Sequence, residues 1–93
     1  MSKQLQFPFV QTKLANNKAL RTFNESIDSS ELIWHMDKED RIITVLKSSN
    51  WKLQMDNGLP IQLERGRSYF IPKMTYHRVI KGSGSLVLEL QFL

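Results

Sequence analysis

The chain has 93 residues, of which 41% are hydrophobic and 10% aromatic, with no cysteine and a formal net charge of +4. That length holds one domain, and the apolar content is that of a folded globular protein. The lack of cysteine excludes a disulfide scaffold, a cysteine-ligated zinc site and a thiol nucleophile. The basic excess lies entirely in the first quarter. Lys3, Lys13, Lys18 and Arg21 precede any acid, and the other nine bases are balanced by the nine acids. So small a basic segment predicts a solubilising stretch rather than a nucleic-acid surface, because each neutralised phosphate adds only a modest increment of affinity. No apolar run approaches the ~20 residues that cross a bilayer, and the opening residues lack the apolar core of a secretory signal. The expectation is a cytoplasmic protein with no membrane partner.

Taken in chain order, residues 1–19 read as an extended arm. Pro8 between Phe7 and Phe9 favours extended backbone, and residues 12–19 have the composition for one helical turn. From residue 20 the pattern is β. Short strands are expected at 20–23, 31–35, 42–46, 51–55, 60–63, 69–72, 76–80 and 86–92. Trp51, Leu53 and Met55 alternate with Lys52, Gln54 and Asp56, and Leu86, Leu88, Leu90 and Phe92 repeat the period of two. Asp56-Asn57-Gly58 is a hairpin signal, since Asn and Gly tolerate positive φ. Gly82-Ser83-Gly84 is a turn and not a phosphate loop, because no helical pattern follows it. No stretch carries a helical stripe longer than about one turn. Short strands at this spacing predict a sandwich or a barrel.

Residues 66–81 read GRSYFIPKMTYHRVIK. This resembles the second motif of the cupin superfamily, G-x5-P-x-G-x2-H-x3-N, with Gly66, Pro72 and His77 in register. Met74 stands at the second glycine and Lys81 at the asparagine. Upstream, residues 34–51 resemble a degraded first motif, with His35 at the first histidine, Asp37 at the second and Arg41 at the glutamate, Asp40 being adjacent. The resemblance covers residues 30–92. It implies an all-β fold, a small cupin-like jelly-roll β-barrel over residues 20–93 behind an extended N-terminal arm at 1–19.

Residues i and i+2 on a strand face the same way. His35 and Asp37 can therefore point together into a barrel, with His77 joining them from a later strand. Two imidazoles and one carboxylate form a facial triad for a divalent metal such as Fe, Mn, Ni or Zn, with coordination positions left open. The pattern is also similar to the ligand set of double-stranded β-helix oxygenases. The same three residues equally suit a metal-free polar pocket, or a structural cluster in which Asp37 bonds Arg41 or Arg78. An inward Arg41 would suit an anion, since guanidinium stays charged and repels a dication. Arg41, Trp51, Tyr69 and Arg78 are the candidate ligand contacts.

Two functions compete: a binding module for a small, anionic molecule, and an oxygenase-like or isomerase-like metalloenzyme. The inward arginine favours the first, and the His-x-Asp pairing favours the second. A homodimer is expected, because small barrels have edge strands that need covering.

Overall fold

The computed structural model describes residues 8–93. The described residues form eight strands in chain order: β1 (Val10–Ala15), β2 (Lys18–Phe23), β3 (Arg41–Lys47), β4 (Lys52–Met55), β5 (Ile61–Gln62), β6 (Ser68–Ile71), β7 (His77–Ile80) and β8 (Leu86–Phe92). They make two antiparallel sheets. One is five-stranded in the order β1-β2-β8-β3-β6, and the other is three-stranded in the order β5-β4-β7. The all-β class expected from the alternation is what forms.

The period of two sets the core. On β8, Leu86, Leu88 and Leu90 turn inward and are buried. Antiparallel pairing places Phe23 opposite Leu86 and Ala19 opposite Leu90 on one side. On the other side, Ile43 faces Leu90 and Val45 faces Leu88. Leu53 of β4, Ile71 of β6, Leu63 and Trp51 complete the apolar cluster. Each large aliphatic side chain so buried contributes roughly 1.5–3 kcal/mol.

Three local readings are corrected. Residues 12–19 form no helical turn: β1 and β2 make a hairpin around Asn16 and Asn17, with Val10 opposite Thr22 and Lys13 opposite Ala19. The same pairing puts residues 18–19 in one strand with 20–23, so no boundary separates arm from barrel at residue 19. Phe7 lies outside the described residues, and Phe9 packs edge-on against Phe23 with ring centroids 5.5 Å apart. The expected strand at 31–35 is not a strand either. Ser29–Glu31 is a 3-10 turn with Asp28 as its N-cap, accepting from Ser30 N, while Glu31 reaches back to the Asp28 amide. The local Asp-x-x-Glu capping box outcompetes the β pattern. Only His35 pairs, as an isolated bridge to His77.

Two turns show why particular residues sit where they do. Met74 adopts φ 58, the left-handed region, at the position where the motif has glycine. Gly82 packs so closely on the preceding loop that a Cβ there would meet Ser49 O, Asn50 C and Trp51 N.

Candidate metal centre

His35 and His77 come together because their backbones exchange two hydrogen bonds, His35 N to His77 O at 3.0 Å and His77 N to His35 O at 2.9 Å. Their rings lie 4.3 Å apart between centroids. Asp37 follows two residues on. Its backbone oxygen accepts from Met74 N at 2.7 Å, and Asp40 Oδ1 accepts from Lys73 N at 2.7 Å. The acidic loop is thereby pinned to the turn that precedes β7, so Asp40 is a structural tie rather than a ligand.

The donor atoms of His35, Asp37 and His77 all lie within 4.8 Å of one another. His77 Nδ1 lies 2.8 Å from Thr75 O, and His35 Nδ1 lies 3.1 Å from Ile33 O. A carbonyl only accepts, so each Nδ1 carries the proton and each Nε2 presents a lone pair. Backbone carbonyls in this role fix the tautomer and ring orientation of a ligating histidine. His77 is 3% exposed. Burial holds its imidazole below the usual value, with repulsion from His35 and Arg41 acting the same way, against the Thr75 hydrogen bond and the Asp37 carboxylate. The ring is neutral near pH 7.

The Asp37 carboxylate carries the sharpest signal. One oxygen, Oδ1, lies 3.3 Å from Arg41 Nη2. The other, Oδ2, is buried with no hydrogen-bond partner and lies 3.3 Å from His77 Nε2. Two lone-pair atoms thus face each other in a buried site. An unmet buried acceptor costs about 1–3 kcal/mol, and a shared cation removes that cost. The donor set therefore fits a divalent metal, with His35, Asp37 and His77 as its ligands.

The triad lies in a cavity of about 610 Å³. Its lining is largely apolar, with Phe23, Ile43, Leu53, Ile71, Val79, Leu88 and Leu90 joined by Pro8, Phe9, Leu32 and Ile33. Arg41 lines the cavity, as the first motif implies, but its guanidinium is engaged. It donates to Glu39 Oε1 through Nη2 at 2.7 Å and through Nε at 3.1 Å, besides its contact with Asp37.

The other sequence candidates are placed elsewhere. Trp51 is fully buried in the core, its Nε1 donating to Ser83 O and Gly84 O at 3.2 and 3.3 Å. Tyr69 bridges Gln62 O and Glu64 N through its hydroxyl. Arg78 donates to Gln54 Oε1 and lies over the Trp34 ring. None of the three lines the cavity. Each is engaged with protein neighbours, and of the four candidate ligand contacts only Arg41 is brought to the cavity that holds the triad. A cavity residue that the motif does not mark is Arg21 of β2. The signal was present in the alternation, which places it between inward Ala19 and Phe23.

Solved structures share this architecture. A cupin domain from Bordetella pertussis Tohama I superposes with a TM-score of 0.66 at 20% identity, over 98% of this chain and 99% of that one. The fold is cupin-like. A cupin-2 domain protein from Shewanella frigidimarina NCIMB 400 gives 0.64 at 16% identity, over 95% of this chain and 81% of that one. Co(II) HppE in complex with substrate gives 0.73 at 14% identity, over 98% of this chain but 58% of that one. No protein-family model and no curated protein matches the sequence. These identities establish architecture and transfer no residue roles. No helix among the described residues is long and apolar enough to cross a membrane.

Proposed function

We propose that this chain binds one divalent first-row metal ion through His35, Asp37 and His77 and receives a small organic ligand in the cavity beside it. The observation that carries this is the buried Asp37 Oδ2, without a donor and facing the lone pair of His77 Nε2. Support also comes from HppE, whose structures are described with Fe(II) and Co(II). When bound, the ion supplies a Lewis acid with positions open to a ligand. The chain's own residues do the rest. Thr75 O and Ile33 O hold the two imidazoles in their ligating tautomer. Arg41 holds Asp37 in place, and Glu39 balances the charge of Arg41. The apolar walls exclude water from the ligand's body.

The same donor set suits a metalloenzyme of the oxygenase or isomerase kind, and the placing of the triad in a cavity large enough for a small molecule favours that as the second reading. Titration of metal-free protein with Co(II) separates metal binding from its absence. The visible spectrum is expected to saturate at one equivalent for the wild type and to stay that of the aqueous ion for His77→Ala. Identical spectra for the two proteins would contradict the proposal. Oxygen consumption by the Fe(II) form in the presence of a ligand then tests turnover.

A further inference from the structure

Arg21 occupies a position that the strand pattern reserves for an apolar side chain. On β2, Ala19, Arg21 and Phe23 share the inward face, and Ala19 and Phe23 are buried in the core. Arg21 stands directly opposite Leu88. Arg21 itself is half-buried, and drawing part of a guanidinium out of water is unfavourable unless the charge is paired. Arg41, the other cavity arginine, has two carboxylates beside it. Arg21 makes no direct ion pair with any described residue, the Asp37 carboxylate acting on it only from a longer range. Its guanidinium carbon lies over the Phe9 ring, 3.7 Å from the centroid, and Nε donates to Gln11 Oε1 at 2.8 Å. These two contacts hold the guanidinium carbon against the ring and engage Nε. The Nη atoms make no hydrogen bond with any described residue, although the side chain lines the cavity. Burial first and then the neighbouring Arg41 charge lower its pKa to about 10, against the attraction of the Asp37 carboxylate, a value that still leaves it cationic at neutral pH.

We propose that Arg21 is the specificity-determining residue of the cavity, anchoring the carboxylate of a small organic acid whose body is apolar. A planar fork with free Nη groups matches a carboxylate bidentately. A cation with no direct ion-pair partner among the described residues calls for a single negative charge. Beyond it the wall is hydrocarbon, supplied by Phe9, Phe23 and Leu88, which suits an alkyl or aryl body. The cavity's about 610 Å³ lies in the range of small-molecule sites. This assignment rests on the reading of the cavity as a ligand pocket, and it extends that reading by naming the ligand class and the residue that selects it.

The test uses the full-length protein, metal-free and loaded with Zn(II). Hexanoate and phenylacetate are titrated against their neutral isosteres hexanamide and phenylacetamide, read by calorimetry and by amide chemical shifts. The acids are expected to bind and to shift resonances of cavity residues. The amides should bind roughly tenfold more weakly or worse, the loss expected for a charge-assisted pair. Arg21→Leu, which restores an apolar residue to an apolar face, should lose acid binding by a similar factor. It should keep its Zn(II) affinity and melt no lower than the wild type. Arg21→Lys keeps the charge without the fork and should fall between, and it decides the matter if the leucine variant does not fold. The proposal is overturned if amides bind as well as acids, if no acid shifts the cavity resonances, or if Arg21→Leu melts lower while binding acids unchanged. Acid binding through Arg21 without Zn(II) uptake would remove the metal and leave this assignment standing. Zn(II) uptake with no response to acids would do the reverse.

Discussion

Replacing Asp37 with asparagine should stabilise the metal-free protein while abolishing its metal site. In the wild type, Asp37 Oδ2 is buried without a donor, 3.3 Å from the lone pair of His77 Nε2. Asparagine placed with its amide nitrogen there donates to that lone pair, satisfying both atoms. Its oxygen stays toward Arg41 Nη2, which keeps its 2.7 Å contact with Glu39. Relief of the unmet acceptor is worth about 1–3 kcal/mol. Against it stands the weakened attraction between Arg41 and Asp37, two groups only 15% and 11% exposed. The pair is offset by the surviving Glu39 contact, so the net gain is about 1 kcal/mol, or a rise in melting temperature of roughly 4–8 °C for a domain of this size. Circular dichroism melts of both proteins in EDTA measure it. In parallel, Zn(II) should raise the wild-type midpoint and leave that of Asp37→Asn unmoved, since only a ligand bound to the folded state shifts the transition. A variant that melts several degrees below the wild type in EDTA, with Zn(II) acting on neither, would refute the reasoning. Asp37 would then be a structural partner of Arg41.

His77 should titrate below the ordinary imidazole value of ~6.5. Between its lowered folded pKa and ~6.5 the unfolded chain binds more protons, so metal-free stability should fall as pH drops through that window. Urea midpoints against pH, with the ring followed by NMR, check this, and a His77 titration at or above ~6.5 would contradict it. Gly82→Ala places a Cβ 2.5 Å from Asn50 C and from Trp51 N, both rigid backbone atoms. It should cost about 3 kcal/mol or more, the upper range of overpacking, and a melting temperature within a few degrees of wild type would show that the turn gives way. A homodimer should form along β1, an edge strand whose six residues are all exposed. Sedimentation velocity of the wild type against Leu14→Lys tests it, and a wild type that sediments as a monomer would count against it.

The fold was legible where alternation was clean. Leu86, Leu88 and Leu90 predicted β8, and the core is built around it. The motif's Gly66, Pro72 and His77 placed β7, and the left-handed Met74 shows that the register holds where the glycine itself is gone. The triad was legible because His35 and Asp37 are two residues apart, although a bridge and a pinned loop place them rather than a strand. Other features were set by contacts that no local pattern reveals. Trp51 shares an alternating face with Leu53, which identifies core as readily as pocket, and only the burial of both decides it. The Arg41–Glu39 pair has no counterpart in the motif, which marks Arg41 alone, so only the folded contact reveals that the guanidinium is engaged. The hairpin at Asn16 and Asn17 was obscured by residues of middling helix propensity, and pairing with β8 through β2 overrides that preference.

X-ray absorption spectroscopy of the Zn(II)-loaded protein tests the metal centre most directly. The account predicts one ion per chain, with nitrogen and oxygen ligands at about 2.0–2.2 Å and scattering from two imidazole rings, falling to one ring in His77→Ala if any ion remains. A first shell without imidazole, or no uptake at one equivalent, would contradict it.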